Sequence, residues 1–464
     1  MFSATRIAGI TGGTIIGDAS ALVSGVSTDS RTISAGQLFV PLAGPHFDGH
    51  AYISQLSAQG VTVILAESAW AAQCQPPPGI TTVVVKDTLH ALGDLAAAYR
   101  GDYDLTVVGV TGSNGKTTTK EILASILALT SPGLKTSGNL NNLIGLPHML
   151  FQLLPEHRWA VLEMGMSEPG EIDRLARIAA PEVGIITNVF PAHLESMGSV
   201  ENVAKAKGEL FQRLSPGATA ICNADDPLVA ALPTPSGVKR RSFGFKGGDV
   251  TASDLTIRRL EGMDFNLHLS GGKIPVRFNG CGRHNVLNAL AAATAAEAMG
   301  VNSETIRDGL ENFRPADRRF VVERFENLTL INDSYNANPA SVEAALTTLA
   351  EIKGAGRIFA ALGDMLELGP DSERLHFKIG ELAGKVAGRV YLRGDMASVV
   401  AAGARRSGLD PAAIVVGMKH EEIAADILRL AEPDDLVLVK GSRGMAMDRV
   451  ATLIRDAYHC RKEA

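Results

Sequence analysis

Leu105-Thr106-Val107-Val108-Gly109-Val110 runs directly into Thr111-Gly112-Ser113-Asn114-Gly115-Lys116-Thr117-Thr118-Thr119, and an amphipathic segment from Lys120 to Leu129 follows. An apolar β-branched run, a glycine-bearing loop and a helical pattern, in that order, predict a strand, a phosphate loop and a helix. Glycines let backbone N–H groups turn toward an anion, and the helix N-terminus adds positive potential. Lys116 then reaches terminal phosphates and Thr117 offers its hydroxyl to Mg2+, while Gly112, Ser113, Asn114, Gly115 and Thr118 complete the cradle. The strict G-x4-G-K-[ST] spacing requires glycine at 110, where Val110 stands; the nearest glycines are Gly109 and Gly112. The alternative, a plain glycine-rich turn, leaves the adjoining strand and helix unexplained.

Working outward, 464 residues exceed one ordinary domain, and about three of roughly 150 residues each are expected. An apolar content of 45% supplies several cores, and 44 basic against 50 acidic residues give a net charge of -6. That balance argues against nucleic acid as a partner, so anionic ligands must be held by local sites. Cys74, Cys222, Cys281 and Cys460 are far apart with no C-x-x-C pair, which suggests neither a zinc site nor a disulfide framework and fits a reducing cytoplasm. No apolar run approaches the roughly 18 residues of a membrane span, and residues 1–12 lack the pattern of a signal peptide. A cytoplasmic protein without membrane insertion is expected.

The fold class expected is α/β with three domains. Residues 1–103 form a small N-terminal α/β domain, with apolar runs at Gln37 to Leu42, Val61 to Ala66 and Thr81 to Val85 beside a helical stretch from Leu89 to Tyr99. Residues 104–314 form a central P-loop domain with a mostly parallel sheet. Residues 315–464 form a C-terminal Rossmann-like doubly wound sheet on five apolar runs, but with no G-x-G-x-x-G after its first strand, which disfavours a dinucleotide.

Ligands of such sheets gather at the carboxyl ends of strands, and the polar clusters fall there. In the first region Ser27-Thr28-Asp29-Ser30-Arg31 and Phe47-Asp48-Gly49-His50 read as turn chemistry or as a diphosphate site through Arg31. In the second, Gly138-Asn139-Leu140-Asn141-Asn142 is a loop and a candidate amide clamp. Glu163 ends one run, Thr187-Asn188-Val189 ends another, and His193 follows; an acidic group and an imidazole near a triphosphate can ligate a divalent cation. Lys207 lies partly toward the apolar side of a helix, where it either snorkels or, buried, stays a neutral amine able to react with CO2. Asn285 either caps an alanine-rich helix or reads a base edge. Beyond 315, Asp333-Ser334-Tyr335-Asn336-Ala337-Asn338-Pro339, Gly363-Asp364-Met365 and Lys440-Gly441-Ser442-Arg443 describe one cleft, with Asp333 and Ser341 also candidate helix caps. Arg318 and Arg319 lie where either could reach the triphosphate.

Taken together these motifs resemble the Mur ligase family over essentially the whole chain. The phosphate loop, in the form Gly-x-Thr-Gly-Ser-Asn-Gly-Lys-Thr, is shared with folylpolyglutamate synthases. The amide loop with Gly145 and Pro147, Ala192-His193-Leu194, Ala206-Lys207-Gly208-Glu209-Leu210-Phe211 and the Asp333 to Pro339 run look like the members that extend UDP-N-acetylmuramoyl-tripeptide by D-alanyl-D-alanine.

The resemblance implies ATP-dependent amide formation through an acyl phosphate, in peptidoglycan precursor synthesis, by a monomer. It implies that Lys116, Glu163, His193 and Lys207 carry the chemistry, with Lys207 carbamylated and two Mg2+ ions held by Thr117, Glu163 and His193. It further implies nucleotide contacts from Asn285, Asn288, Arg319, Asp333 and Tyr335. Substrate contacts would come from Ser27, Thr28, Asp29, Ser30, Arg31, Phe47, Asn139, Asn141, Asn142, Asn336, Asn338, Lys440 and Ser442. Leu143 stands where the family often has Asp. Two other readings are a sibling ligase adding one amino acid and an NTP-hydrolysing switch.

Overall fold

The computed structural model describes residues 2–463, with side chains described through residue 459, so the Cys460 thiol lies outside the described residues. The chain forms two compact units: one holds the chain up to Gly109 with Ser131–Met166 and Gly170–Glu182, and the other holds Val110–Thr130, Ser167–Pro169 and everything from Val183 onward.

In the first unit a five-stranded sheet runs in the order Thr14–Ile16, Thr81–Val85, Val63–Glu67, Gln37–Phe39, Gly25–Ser27. It is parallel except for the first pair. Successive side chains of a strand point to opposite faces, so Leu38, Val63, Leu65 and Val83 pack with Leu92 and Leu95 of the helix Thr88–Gly101. Phe39 and Ile64 enter a second cluster with Ile53 and Leu56. Both faces are therefore covered, as parallel sheets require. The unit also pairs Gly133–Lys135 in parallel with Trp159–Glu163, leaving Glu163 at a strand's carboxyl end.

In the second unit Val183–Ile186, Thr219–Asn223, Lys239–Gly244 and Val250–Ile257 are parallel neighbours. Two antiparallel strands, Met263–Leu269 and Gly272–Phe278, close that side. Their signal was present in the chain: from Met263 to Leu269 buried and half-buried residues alternate with period two, the mark of a sheet covered on one face. The expected doubly wound sheet runs in the order Val321–Arg324, Thr329–Asn332, Leu436–Lys440, Ile358–Gly363, Arg389–Arg393, Ile414–Val416. All its neighbours are parallel except the first pair. Ile331, Ala360, Leu362, Val390 and Leu438 face one core, whereas Leu330, Phe359, Ala361, Tyr391 and Val439 face the other. The carboxyl ends of these strands deliver Asp333, Asp364 and Lys440 to one edge.

Candidate active site

The strand Thr106–Thr111 and the helix Lys116–Leu127 bracket the phosphate loop as expected, and Gly115 caps the helix with φ 83° and no side-chain cap bond. A helix N-terminus at this point favours an anion. Gly112 has φ 150°. A side chain at Gly112 would collide with Thr187 Oγ1, and one at Gly115 with Asn288 Oδ1, so both glycines are required by space as well as by conformation.

Neighbouring polar groups clamp the loop. Asn188 accepts from the N–H of Ser113 (2.9 Å, backbone oxygen) and of Asn114 (2.8 Å, side chain), and Thr187 Oγ1 donates to Asn114 O at 2.6 Å. Behind them Asn223 Nδ2 donates to Thr187 O, and the buried Asp226 accepts from Val189 N–H at 2.7 Å. Lys116 Nζ folds back on Gly112 O at 2.8 Å, which holds the ammonium over the loop's mouth.

Against this loop lies a cavity of about 460 Å3, lined among others by Asn188, Asp226, His284, Asn285, Asn288, Arg319 and Phe320. Asn285 is not the cap of the helix Arg283–Ala298; Gly282 is, in a positive-φ conformation that glycine readily adopts. Instead Asn285 Nδ2 donates to Cys281 O, Asn288 Nδ2 donates to Asn285 Oδ1, and Thr119 Oγ1 reaches Asn288 at 3.4 Å. Arg319 stacks on the Tyr335 ring at 3.9 Å and donates through Nη2 to Thr117 Oγ1 at 3.3 Å. Its Nε is buried with no partner among the described residues, a donor awaiting an acceptor. Arg318 is instead paired with Asp448 and Asp317.

Lys440 Nζ reaches Asp333 Oδ2 at 2.6 Å and Asn336 O at 3.0 Å, and Asp333 Oδ1 accepts from Phe320 N–H. Burial lowers the Lys440 pKa, with Asp333 opposing it. Ser442 is buried and donates to Ala337 O, and Asn336 Oδ1 accepts from Arg443 N–H. Asn338 caps the helix Pro339–Ile352 with Ser341 in a reciprocal capping box, so Ser341 shares the capping role and Asp333 has none there.

Lys207 is fully buried on the helix Val200–Gln212, which Ser199 caps. Burial pushes its pKa well down and the Lys116 charge adds to this; the side chain is buried rather than snorkelling. His193 is lowered chiefly by burial as well, with Glu367 opposing and Lys116 and Lys207 reinforcing.

In the first unit, Glu163 is buried and its Oε1 accepts from Asn141 Nδ2 at 2.8 Å, which joins the amide loop to that strand end. Asn142 Oδ1 accepts from Gly145 N–H at the start of the helix Gly145–Leu150, and Asn139 is exposed. Arg31 is exposed and ion-paired with Asp29, whose carboxyl it holds down to about 2. Ser27 Oγ bonds within the same turn, Thr28 Oγ1 lies 3.0 Å from His148 Nε2, Ser30 is half-buried, and Phe47 is exposed.

Three family models cover the chain: Mur ligase family, catalytic domain at residues 22–100; Mur ligase middle domain at 110–296; and Mur ligase, glutamate ligase domain at 318–443. The chain is 37% identical over 444 residues to UDP-N-acetylmuramoyl-tripeptide--D-alanyl-D-alanine ligase of Escherichia coli, with 94% of each chain covered. The chain belongs to the Mur ligase family.

The solved structures agree. A crystal structure of MurF from Acinetobacter baumannii superposes with a TM-score of 0.89 at 33% identity over 98% of this chain and 99% of that one. MurF ligase from Thermotoga maritima in complex with ADP gives 0.84 at 29% identity, over 95% and 99%. The Mur ligase described here shares their three-domain α/β architecture.

Sequence reasoning passed over Asp226 and His284 of the cavity lining and Glu367 beside His193 in this Mur ligase. Asp226 carried a signal, since Asn223-Ala224-Asp225-Asp226-Pro227 is a strand end followed by an Asp-Pro helix start. His284, next to Asn285, carried no signal of its own, since a lone histidine at a helix start is not distinctive. Glu367 had no local signal, because its partner His193 is 174 residues away in the chain.

Proposed function

We propose that this Mur ligase joins D-alanyl-D-alanine to UDP-N-acetylmuramoyl-tripeptide at the expense of ATP, in the cytoplasm, as a monomer. The observation that carries the nucleotide half is the clamped phosphate loop opening on a cavity that Asn285, Asn288 and Arg319 help to line. The named relatives supply the substrate pair. Residues 1–103 would take the UDP end of the acceptor, 104–314 the ATP, and 315–464 the incoming dipeptide.

A carboxylate resists attack by an amine, so its oxygen first attacks the γ-phosphorus of ATP, and the bond from that phosphorus to the bridging oxygen breaks to release ADP. The dipeptide's neutral amine then adds to the acyl carbon. The tetrahedral oxyanion collapses with loss of phosphate, and the amine's extra proton passes to solvent or phosphate. Lys116 and Arg319 balance negative charge during both steps, and the loop's backbone N–H groups fix the phosphates. Asn285 and Asn288 face the base, while Asp333 and Tyr335 approach the nucleotide from the other side.

Mg2+ is ordinarily held by one or two carboxylates together with substrate phosphates; Glu163 would offer it a carboxylate, Thr117 a hydroxyl and His193 an imidazole. When bound, it would screen phosphate charge. A carbamate on Lys207 would add an anion behind His193. Ser27–Arg31, Phe47, Asn139, Asn141 and Asn142 remain the proposed contacts to the acceptor, and Asn336, Asn338, Lys440 and Ser442 those to the dipeptide, the last two by shaping the 333–338 loop.

Incubation with ATP, Mg2+, UDP-N-acetylmuramoyl-tripeptide and D-alanyl-D-alanine is expected to release phosphate and form amide only when both acceptor and dipeptide are present. Equal turnover with a single amino acid would move the chain to a sibling activity. Phosphate release independent of acceptor and dipeptide would overturn the ligase reading.

A further inference from the structure

His193 Nδ1 and Glu367 Oε2 lie 2.6 Å apart, and both residues adopt left-handed backbone conformations, with φ 55° and 64°. Histidine is one of the residues enriched in that region, whereas glutamate is not. The pair is only partly covered, with side-chain exposures of 30% and 59%, so the ion pair itself returns little stability in water. A strained Glu367 backbone serving a weak surface contact points to a role other than holding the fold.

The loop that presents Glu367 is built to be stationary. It leaves the strand Ile358–Gly363, and Asp364 accepts from Asp395 and Met396 N–H groups. Met365 N–H donates to His376 Nε2, and Leu366 N–H donates to Ser442 Oγ. Glu367 O accepts from Glu195 N–H at 3.4 Å, and Gly369 lies against Leu194 and Glu195. The carboxylate is thus delivered from the edge of the doubly wound sheet to a histidine that follows the strand Val183–Ile186. A carboxylate can only accept here, so Nδ1 carries the proton and the Nε2 lone pair is left for a ligand.

We infer that Glu367 is a positioning residue: it fixes the tautomer and ring orientation of His193, so that Nε2 ligates a divalent cation only while the 364–369 loop is seated against the His193 helix. This rests on the reading of His193 as a metal ligand in the proposed function. Carboxylate–histidine pairs of this kind typically change metal affinity about 10–100-fold when broken.

The test titrates Mn2+ by electron paramagnetic resonance into the full chain with a non-hydrolysable ATP analogue, so no turnover is involved. Glu367→Gly removes the carboxylate while relieving the positive φ. It is expected to weaken Mn2+ binding at one site at least 10-fold, with an unchanged or higher melting temperature, and Glu367→Gln, which keeps an acceptor, is expected to restore most of the affinity. His193→Asn is expected to abolish the same site. Unchanged Mn2+ affinity in Glu367→Gly, with the site lost in His193→Asn, would overturn the positioning role alone. Unchanged affinity in His193→Asn would overturn the metal-ligand reading and this inference with it.

Discussion

Asn114 and Asn338 exchange side-chain amide hydrogen bonds, with Asn114 Nδ2 donating to Asn338 Oδ1 at 3.1 Å and Asn338 Nδ2 donating to Asn114 Oδ1 at 2.8 Å. The same Asn338 oxygen accepts from Ser341 N–H as the cap of the helix Pro339–Ile352, while Asn114 N–H is held by Asn188. One pair of amides therefore joins the phosphate loop to the start of a helix on the doubly wound sheet.

Asn338→Ser keeps a good N-cap but cannot return the second amide bond. It is expected to cost no more than about 1 kcal/mol of stability and to raise KM for ATP severalfold with a smaller change in kcat. Combined with Asn114→Ala it should show a coupling of roughly 0.5–3 kcal/mol in kcat/KM. Steady-state kinetics on the four proteins of the cycle measures this, and strictly additive effects would remove the coupling.

Arg318 and Arg319 separate cleanly. Arg319 is stacked on Tyr335 and bonded to Thr117, whereas Arg318 is 41% exposed and pairs with Asp448 at 3.0 Å. Arg319→Ala is expected to lower kcat/KM for ATP by about 10^2–10^3, the usual loss for a group that meets developing charge. Arg319→Lys should recover little, because an ammonium neither stacks nor forks as a guanidinium does. Arg318→Ala should change the same constant by less than about threefold, as for an exposed ion pair. Reversal of that order in ATP-dependence assays would exchange their roles.

Lys207 makes a chemical prediction. It is buried with its pKa pushed well down, and the carbamate proposed for it can be tested directly. With 13C-bicarbonate the wild-type chain is expected to show a carbamate resonance that Lys207→Met lacks. Methionine preserves volume and tolerates burial, so the variant should fold with undiminished stability while kcat falls roughly 10–100-fold. Full activity in Lys207→Met, with or without bicarbonate, would withdraw the carbamate.

What could be read from the chain follows the range of the interactions involved. The phosphate loop was legible because strand, glycines and helix start are contiguous, and the doubly wound sheet because each of its parallel strands is a continuous apolar run. The antiparallel edge strand Val321–Arg324 escaped because it is short and half-exposed. The choice between Arg318 and Arg319 is not local: it depends on Tyr335 and Asp448, which only the fold brings to either side. Asn338 was read as a ligand group, and its capping box with Ser341 was visible in Asn338-Pro339-Ala340-Ser341; its pairing with Asn114, 224 residues away, was not.

His284 supplies a pH dependence that involves no substrate. It is the second residue of the helix Arg283–Ala298 and lines the cavity against the phosphate loop, beside Phe320. Burial lowers its pKa to about 4, with the charge of Asp333 raising it and that of Lys440 lowering it. The unfolded imidazole titrates near 6.5, so above that pH neither state is protonated and His284 leaves stability untouched. As pH falls from about 6.5 toward 4 the unfolded chain binds a proton that the folded chain refuses, and stability is lost at about 1.4 kcal/mol per pH unit. Below about 4 both states are protonated and the loss levels off. His284→Gln removes the titration while keeping a polar side chain. Its urea-unfolding free energy, compared with wild type between pH 7 and 4, is expected to gain on wild type by up to about 3 kcal/mol across that window. A difference between the two proteins that stays constant with pH would mean that His284 titrates normally in the folded chain, and the cavity wall around it would then have to admit water.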